Sequence, residues 1–403
     1  MNALNRTSSI STAFALGFIF LNFINLVAWV LGFYVPPVIY LLAMLAYVPV
    51  SVLNLKRDWM IVALFSCFIL IILGAPLFDW DARYIWFFHA KRIFIDNNLY
   101  AQLDNYFWEI HNDYPVLVPA IAASFAKGVG FWNEVFPRLS IIPVLFPIFL
   151  VLSFLFKRTE NFGFAVIGVL FISKQILVNG YMDAILGLYG AAACLLVVKL
   201  DSEGWDRRAY FLLVSILLSL PMIKNEGVLI SLLICASLIG VFWEKKAALV
   251  LPALTFVIYY YLWKRHVKGA GIETTDLFVS GILKRAVSRL SSSEDVLEIA
   301  KWVFSVSGIY FLTLILFMKK FWKSLKQWRS ILFFVLSYSC AMIAIYLITT
   351  LDLKEHLSHS VDRTFLVVNL SIFLMLLKCY DRRGSQTHLS FEQSYPSAIN
   401  HCS

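Results

Sequence analysis

The sequence predicts an all-α protein, a polytopic bundle of about twelve transmembrane helices. Three features lead to that fold class. Of the 403 residues, 60% are hydrophobic and only 15% charged. Apolar runs of near-spanning length follow one another from Ser11 to Lys378, and short basic loops recur between them. Lipid, not water, is the solvent that such a balance suits.

A spanning helix needs about 20 mostly apolar residues to cross a hydrocarbon core of roughly 30 Å. Candidate spans fall at 11–33, 36–54, 59–76, 136–156, 162–180, 182–200, 208–223, 226–243, 247–263, 301–318, 329–350 and 363–380. The first is too long for a signal-peptide core and is read as a retained span. Residues 1–380 form one transmembrane domain, and 381–403 a short polar cytoplasmic tail expected to be unstructured. The stretch Pro115–Ala126 is different. At about 1.5 Å per residue it reaches only about 18 Å, so it is read as an interfacial or re-entrant helix.

That choice is checked by the positive-inside rule, because one span more or fewer inverts every later loop. With the stretch excluded and the N-terminus inside, six basic clusters face the cytoplasm: Lys56-Arg57, Lys157-Arg158, Arg207-Arg208, Lys245-Lys246, the run 319–329, and Arg382-Arg383. The outer face then holds a loop at about 77–135, the turn around Lys224, and loops at 264–300 and 351–362. These segments carry five of the seven histidines, so any chemistry is expected outside. The net charge of +9 is spread over short loops and forms no stripe, which points to membrane lipids as partners and to no nucleic acid. The six cysteines suggest neither a disulfide framework nor a metal-binding pair.

Polar residues stand out in the outer segments. Asp79 and Asp81 precede an aromatic helical segment, and two carboxylates at a membrane surface can serve as base, acceptor anchor or metal ligands. Asp79 could equally be a helix cap, and the rings an interfacial belt. His89, Arg92 and Asp96 put one polar face on that helix, which is expected to lie along the membrane. His111, Asp113 and Tyr114 come directly before Pro115. Asp183 ends a span, and Lys224 and Glu226 share a tight turn, where they form either a local ion pair or part of a substrate site. His356, His359, Asp362 and Arg363 suggest an anion or metal site. Their spacing matches no tight zinc motif, so no metal ligand is assigned; a divalent cation is compatible with these residues but not required by them.

The order of these motifs, WDARYIWFFHAK, HNDYP, YMDA, KNEG and a late Asp362-Arg363, resembles the bacterial GT-C membrane glycosyltransferases related to protein mannosyltransferases and lipid A aminoarabinose transferases. The resemblance implies a GT-C fold in the bacterial inner (plasma) membrane, with the active site on its outer face. It implies transfer of a sugar from a polyprenyl-phosphate donor to a glycan, lipid or protein acceptor, with inversion at the anomeric carbon. By motif position Asp81 is the loop acid, with Asp79 the second candidate. Donor and acceptor contacts fall to His89, Lys91, His111, Asp113, Tyr114, Asp183, Lys224, Glu226, His359 and Arg363. Two juxtamembrane helices are expected in the first outer loop. An extra apolar span precedes the acidic motif, and no large soluble C-terminal domain indicates the acceptor. The competing readings are a transporter or flippase of a lipid-linked glycan, and a surface-polysaccharide polymerase or ligase.

Overall fold

The computed structural model describes residues 3–54, 57–74, 79–107, 110–241, 246–272, 281–320 and 327–394. All regular structure among them is helical. The first three helices, α1 (Ala3–Val30), α2 (Pro37–Asn54) and α3 (Arg57–Gly74), lead to a π-helical segment, Asp81–Trp86. Next come α4 (Phe87–Asp96), α5 (Leu117–Val129), α6 (Ile141–Leu155), α7 (Thr159–Ser173), α8 (Asp183–Ser202), α9 (Arg207–Ile223) and α10 (Glu226–Val241). Then α11 (Val250–Tyr259) runs through a second π-helical segment, Tyr260–Lys264, into α12 (Arg265–Gly269). The chain ends with α13 (Ile282–Ser291), α14 (Ser293–Lys320), α15 (Arg329–Ile348), α16 (Leu353–Thr364) and α17 (Leu366–Ser394).

Among the described residues eight stretches are long and apolar enough to cross a membrane, and each overlaps an expected span. The other four expected spans, at 36–54, 59–76, 208–223 and 226–243, correspond to α2, α3, α9 and α10, of 18, 18, 17 and 16 residues. Helices of that length reach about 24–27 Å. Lys56, Lys245, part of the 319–329 run and one of the six cysteines, Cys402, lie outside the described residues.

The bundle is built around α6 and α8, nearly every residue of which is buried. Against them pack α1, α7, α9 and α17. Such centrality suits α8, whose Gly187, Gly190 and Ala191 to Ala193 let neighbouring backbones approach closely where lipid supplies no hydrophobic drive between helices. Contacts between distant residues define two ends. At one, Asn161 donates to Asp381 at 2.7 Å, Lys378 pairs with Asp381 at 3.0 Å and Arg329 with Asp201 at 3.5 Å. Residues 81, 113, 183, 224, 263 and 363 gather at the other.

Several expectations need correction. The polar face of α4 turns inward: His89 and Arg92 are buried, while Lys91 and Ile95 are exposed. The Arg92 guanidinium donates to the carbonyls of Ala101 and Leu99, at 2.5 and 3.0 Å, and so serves an irregular loop whose backbone lacks a helical partner. The short helix α5 is covered on all sides through its first turns, because Trp29 of α1 donates to Ala120 O and Ser124 Oγ. Of the two readings for this stretch, burial inside the bundle favours the re-entrant one over a helix lying at the surface. Residues 351–362, expected to be a loop, are mostly helix: Asp352 caps α16 by accepting from Glu355 N at 2.9 Å, and Leu353, Leu357 and Val361 are buried at four-residue spacing. The tail is not unstructured from 381, since α17 continues to Ser394, secured where Asp381 meets Asn161 and Lys378.

Candidate functional site

Five charged side chains from four distant segments form one continuous network. Asp81 stands at the start of the first π-helical segment, a distortion that re-aims side chains and recurs at functional sites. Its carboxylate is 2.5 Å from Arg363 Nη1. The same guanidinium lies 3.8 Å from Asp183 Oδ2, and the other oxygen of Asp183 accepts from Lys224 Nζ at 2.7 Å. Lys224 in turn is 3.0 Å from Glu226. Three carboxylates thus alternate with two cations.

Two glycines permit this convergence. Gly180, at φ +102°, packs so tightly on the Asp81 segment that an added Cβ would meet Ala82 Cβ at 2.7 Å. This contact brings the YMDA motif against the loop acid. Gly227 closes the KNEG turn: a Cβ there would stand 1.9 Å from Leu220 O, so only glycine lets α10 fold back on the end of α9. Arg363 rides on the last turn of α16, which is tied to α15 through the Tyr346 hydroxyl, 3.1 Å from Ser360 Oγ and 2.9 Å from Thr364 Oγ1.

Aromatic rings line the network. Tyr181 lies under the Arg363 guanidinium, 4.5 Å from it, and Tyr114 lies 5.8 Å from Lys224 Nζ. Tyr114 stacks on Trp86 and His111, with centroids 5.4 and 4.5 Å away. Burial, and then the charge of Asp81, push the Tyr181 phenol above its usual range; Asp79 acts on it in the same sense. Asp113 is buried beside the network. It accepts from Asn225 Nδ2 at 2.6 Å, and its carbonyl accepts from Trp263 of the second π-helical segment at 2.8 Å. His89 lies deeper, where burial, and then the charges of Arg92 and His111, lower its pKa to about 3. It is a neutral ring at physiological pH.

The residues proposed from sequence therefore divide. Asp81, Asp183, Lys224, Glu226 and Arg363 meet directly, with Tyr114 against them and Asp113, His111, Asp79 and His89 close behind. Lys91 and His359 remain exposed, and His359 contributes only its carbonyl, which accepts from Arg363 Nε at 3.0 Å. Asp362, next to Arg363 in sequence, accepts from the Arg363 backbone N–H at 2.8 Å. The local Lys224-Glu226 ion pair is present, and Asp183 joins it to Arg363. Tyr181, Asn225, Trp263 and Tyr346 escaped the sequence reading. The first two lie inside recognised motifs, whereas the others sit in apolar runs that carry no polar signal. Among the described residues no three His, Cys, Asp or Glu side chains are grouped to hold a metal ion.

Chemically, such a site can bind an anion between Arg363 and Lys224 and present Asp81 to a hydroxyl beside it. No protein-family model, curated protein or solved structure matches the chain.

Proposed function

We propose that the chain is an integral membrane glycosyltransferase of GT-C type, with twelve spans, that takes its sugar from a polyprenyl-phosphate donor at the outer face of a bacterial inner membrane. The observation that carries this reading is the alternating network at one end of the bundle. A buried lysine and a half-buried arginine are kept side by side by a shared buried carboxylate, next to a half-buried carboxylate on a π-helical turn.

In this mechanism the donor phosphate takes the Arg363 bond now made to Asp81 and the Lys224 bond now made to Glu226. Asp81, displaced from Arg363, accepts the proton of the acceptor hydroxyl as that oxygen attacks the anomeric carbon. The bond from that carbon to the phosphate oxygen breaks, and the two cations stabilise the polyprenyl phosphate that leaves. A single displacement inverts the anomeric centre. Asp183 stays beneath both cations and fixes their spacing. A transporter would be expected to carry charges through its span centres; here the buried ionic contacts gather at the two ends.

Turnover of a panel of polyprenyl-phosphate sugars by the purified protein tests the activity. Lys224→Met and Arg363→Met should each raise the donor KM by roughly ten- to a hundred-fold, since a charge-assisted hydrogen bond is worth about 1.5–3 kcal/mol. The acceptor KM should barely move. If both variants lowered thermal stability alone, the cations would be structural and the reading wrong.

Orientation is tested separately. A cysteine at Val129, at the exposed end of α5, should react with an impermeant thiol reagent from outside, and one at Ser202 should not. The reverse pattern would place the network in the cytoplasm.

A further inference from the structure

Helix α13 differs from every other helix near the site in having no buried residue. Leu283, Val287 and Leu290 recur at four- and three-residue spacing, so they share one edge, and they are 80%, 60% and 59% exposed. The opposite edge is bound firmly. Arg285 Nε donates to Ile348 O at 2.8 Å, and Arg289 donates to Tyr346 O at 2.7 Å and to Leu351 O at 3.1 Å. The first two carbonyls belong to the last turn of α15, which has no helical donors of its own, and the third to the segment just after it. Two arginines at a helix C-terminus also complement its dipole. The apolar edge is thus held outward, and fixed in height, by the end of a helix long and apolar enough to cross a membrane.

We propose that α13 is a membrane-surface helix whose Leu283-Val287-Leu290 edge inserts among lipid acyl chains at the level of the α15 C-terminus. Adjacency to α14 identifies lipid as the occupant. One extended residue, Ser292, separates α13 from α14, which packs against it and carries its own exposed apolar residues, Leu297 and Phe304. That helix is the least covered of the eight span candidates. An exposed apolar edge packed beside the open flank of a helix long and apolar enough to span meets the same surroundings as that flank. Insertion is apolar in character, because Arg285 and Arg289 are spent on carbonyls; Lys284, exposed on the flank of the edge, is free to reach a headgroup without steering the helix. The proposal requires only that the bundle spans a membrane and is independent of the glycosyltransferase reading.

The test uses the full chain in vesicles of neutral phosphatidylcholine. Single cysteines at Val287 and Ser288, in an otherwise cysteine-free protein, carry a nitroxide label. Oxygen partitions into lipid and a nickel chelate into water. The ratio of collision rates with the two should be several-fold higher at 287 than at 288. Equal ratios would show that the edge faces water. Shielding of 287 from both reagents would show a protein partner or a second copy of the chain instead, and either result overturns the proposal. Should the cysteine-free protein fail to fold, a benzophenone amino acid at 287 in the unaltered background gives the same answer. Photolysis should then yield a lipid adduct, whereas a protein adduct, or none, would count against insertion.

Discussion

Asp81→Asn is expected to abolish transfer, lowering turnover by about 10²- to 10⁴-fold, the usual cost of losing an acid-base contact. The change leaves volume almost unaltered and keeps an oxygen that can accept from Arg363, so the variant should remain folded with near-normal thermal stability. Donor affinity should also hold, because Arg363 and Lys224 are untouched. Asp79→Asn should be much milder, since Asp79 reaches the network only through its electrostatic effect on Tyr181. Initial rates at saturating donor, with a thermal-unfolding measurement on the same preparation, decide the matter. Near-normal turnover by Asp81→Asn would remove Asp81 as the base, leaving Asp79 or the buried Asp113 to take its place.

Asp183→Ala should have the largest effect on stability. The Asp183 and Lys224 side chains are only 5% and 6% exposed, and Asp183 faces both cations. Removing one partner of a buried pair typically costs about 3–5 kcal/mol, because the remaining charge keeps its desolvation penalty. The loss here should fall near 3 kcal/mol, at the low end of that range, since Glu226 still holds Lys224 and Asp81 still holds Arg363. Adding Lys224→Met to Asp183→Ala should cost less than the sum of the two single changes, as expected for residues in contact. Denaturant or thermal titrations of the four proteins measure this. An additive result, or a loss below 1 kcal/mol for Asp183→Ala, would mean that the pair is not buried as described.

How far the sequence could be read follows from which signals are local. Apolar runs announce helices that suit lipid, and a charge next to such a run is costly enough to stand out; hence Asp81, Asp183, Lys224 and Arg363 were recognisable one by one. Pairing was not. Asp362 and Glu226 are the neighbours in sequence, yet Arg363 bonds a carboxylate 282 positions away. The face that α4 buries was not legible, because amphipathicity says that two faces differ, not which one turns inward; the open carbonyls of Leu99 and Ala101, which Arg92 serves, decide it. Helices α13 and α16 were hidden in segments read as loops. Their apolar residues recur at helical spacing, but over too few turns to resemble spans.

The network also sets an order for its own making. Asp183 and Lys224 are 41 residues apart, on helices that leave the ribosome close together, so this pair can close early and spare two charges a lone stay in lipid. Arg363 arrives with the final helices. Until then Asp81 has no cation, and α8 lacks the neighbour, α17, that covers much of its length. A chain halted after α15 would hold the Lys224 contacts with Asp183 and Glu226 but neither of the contacts that Arg363 makes, so the network is completed only as the final helices are added.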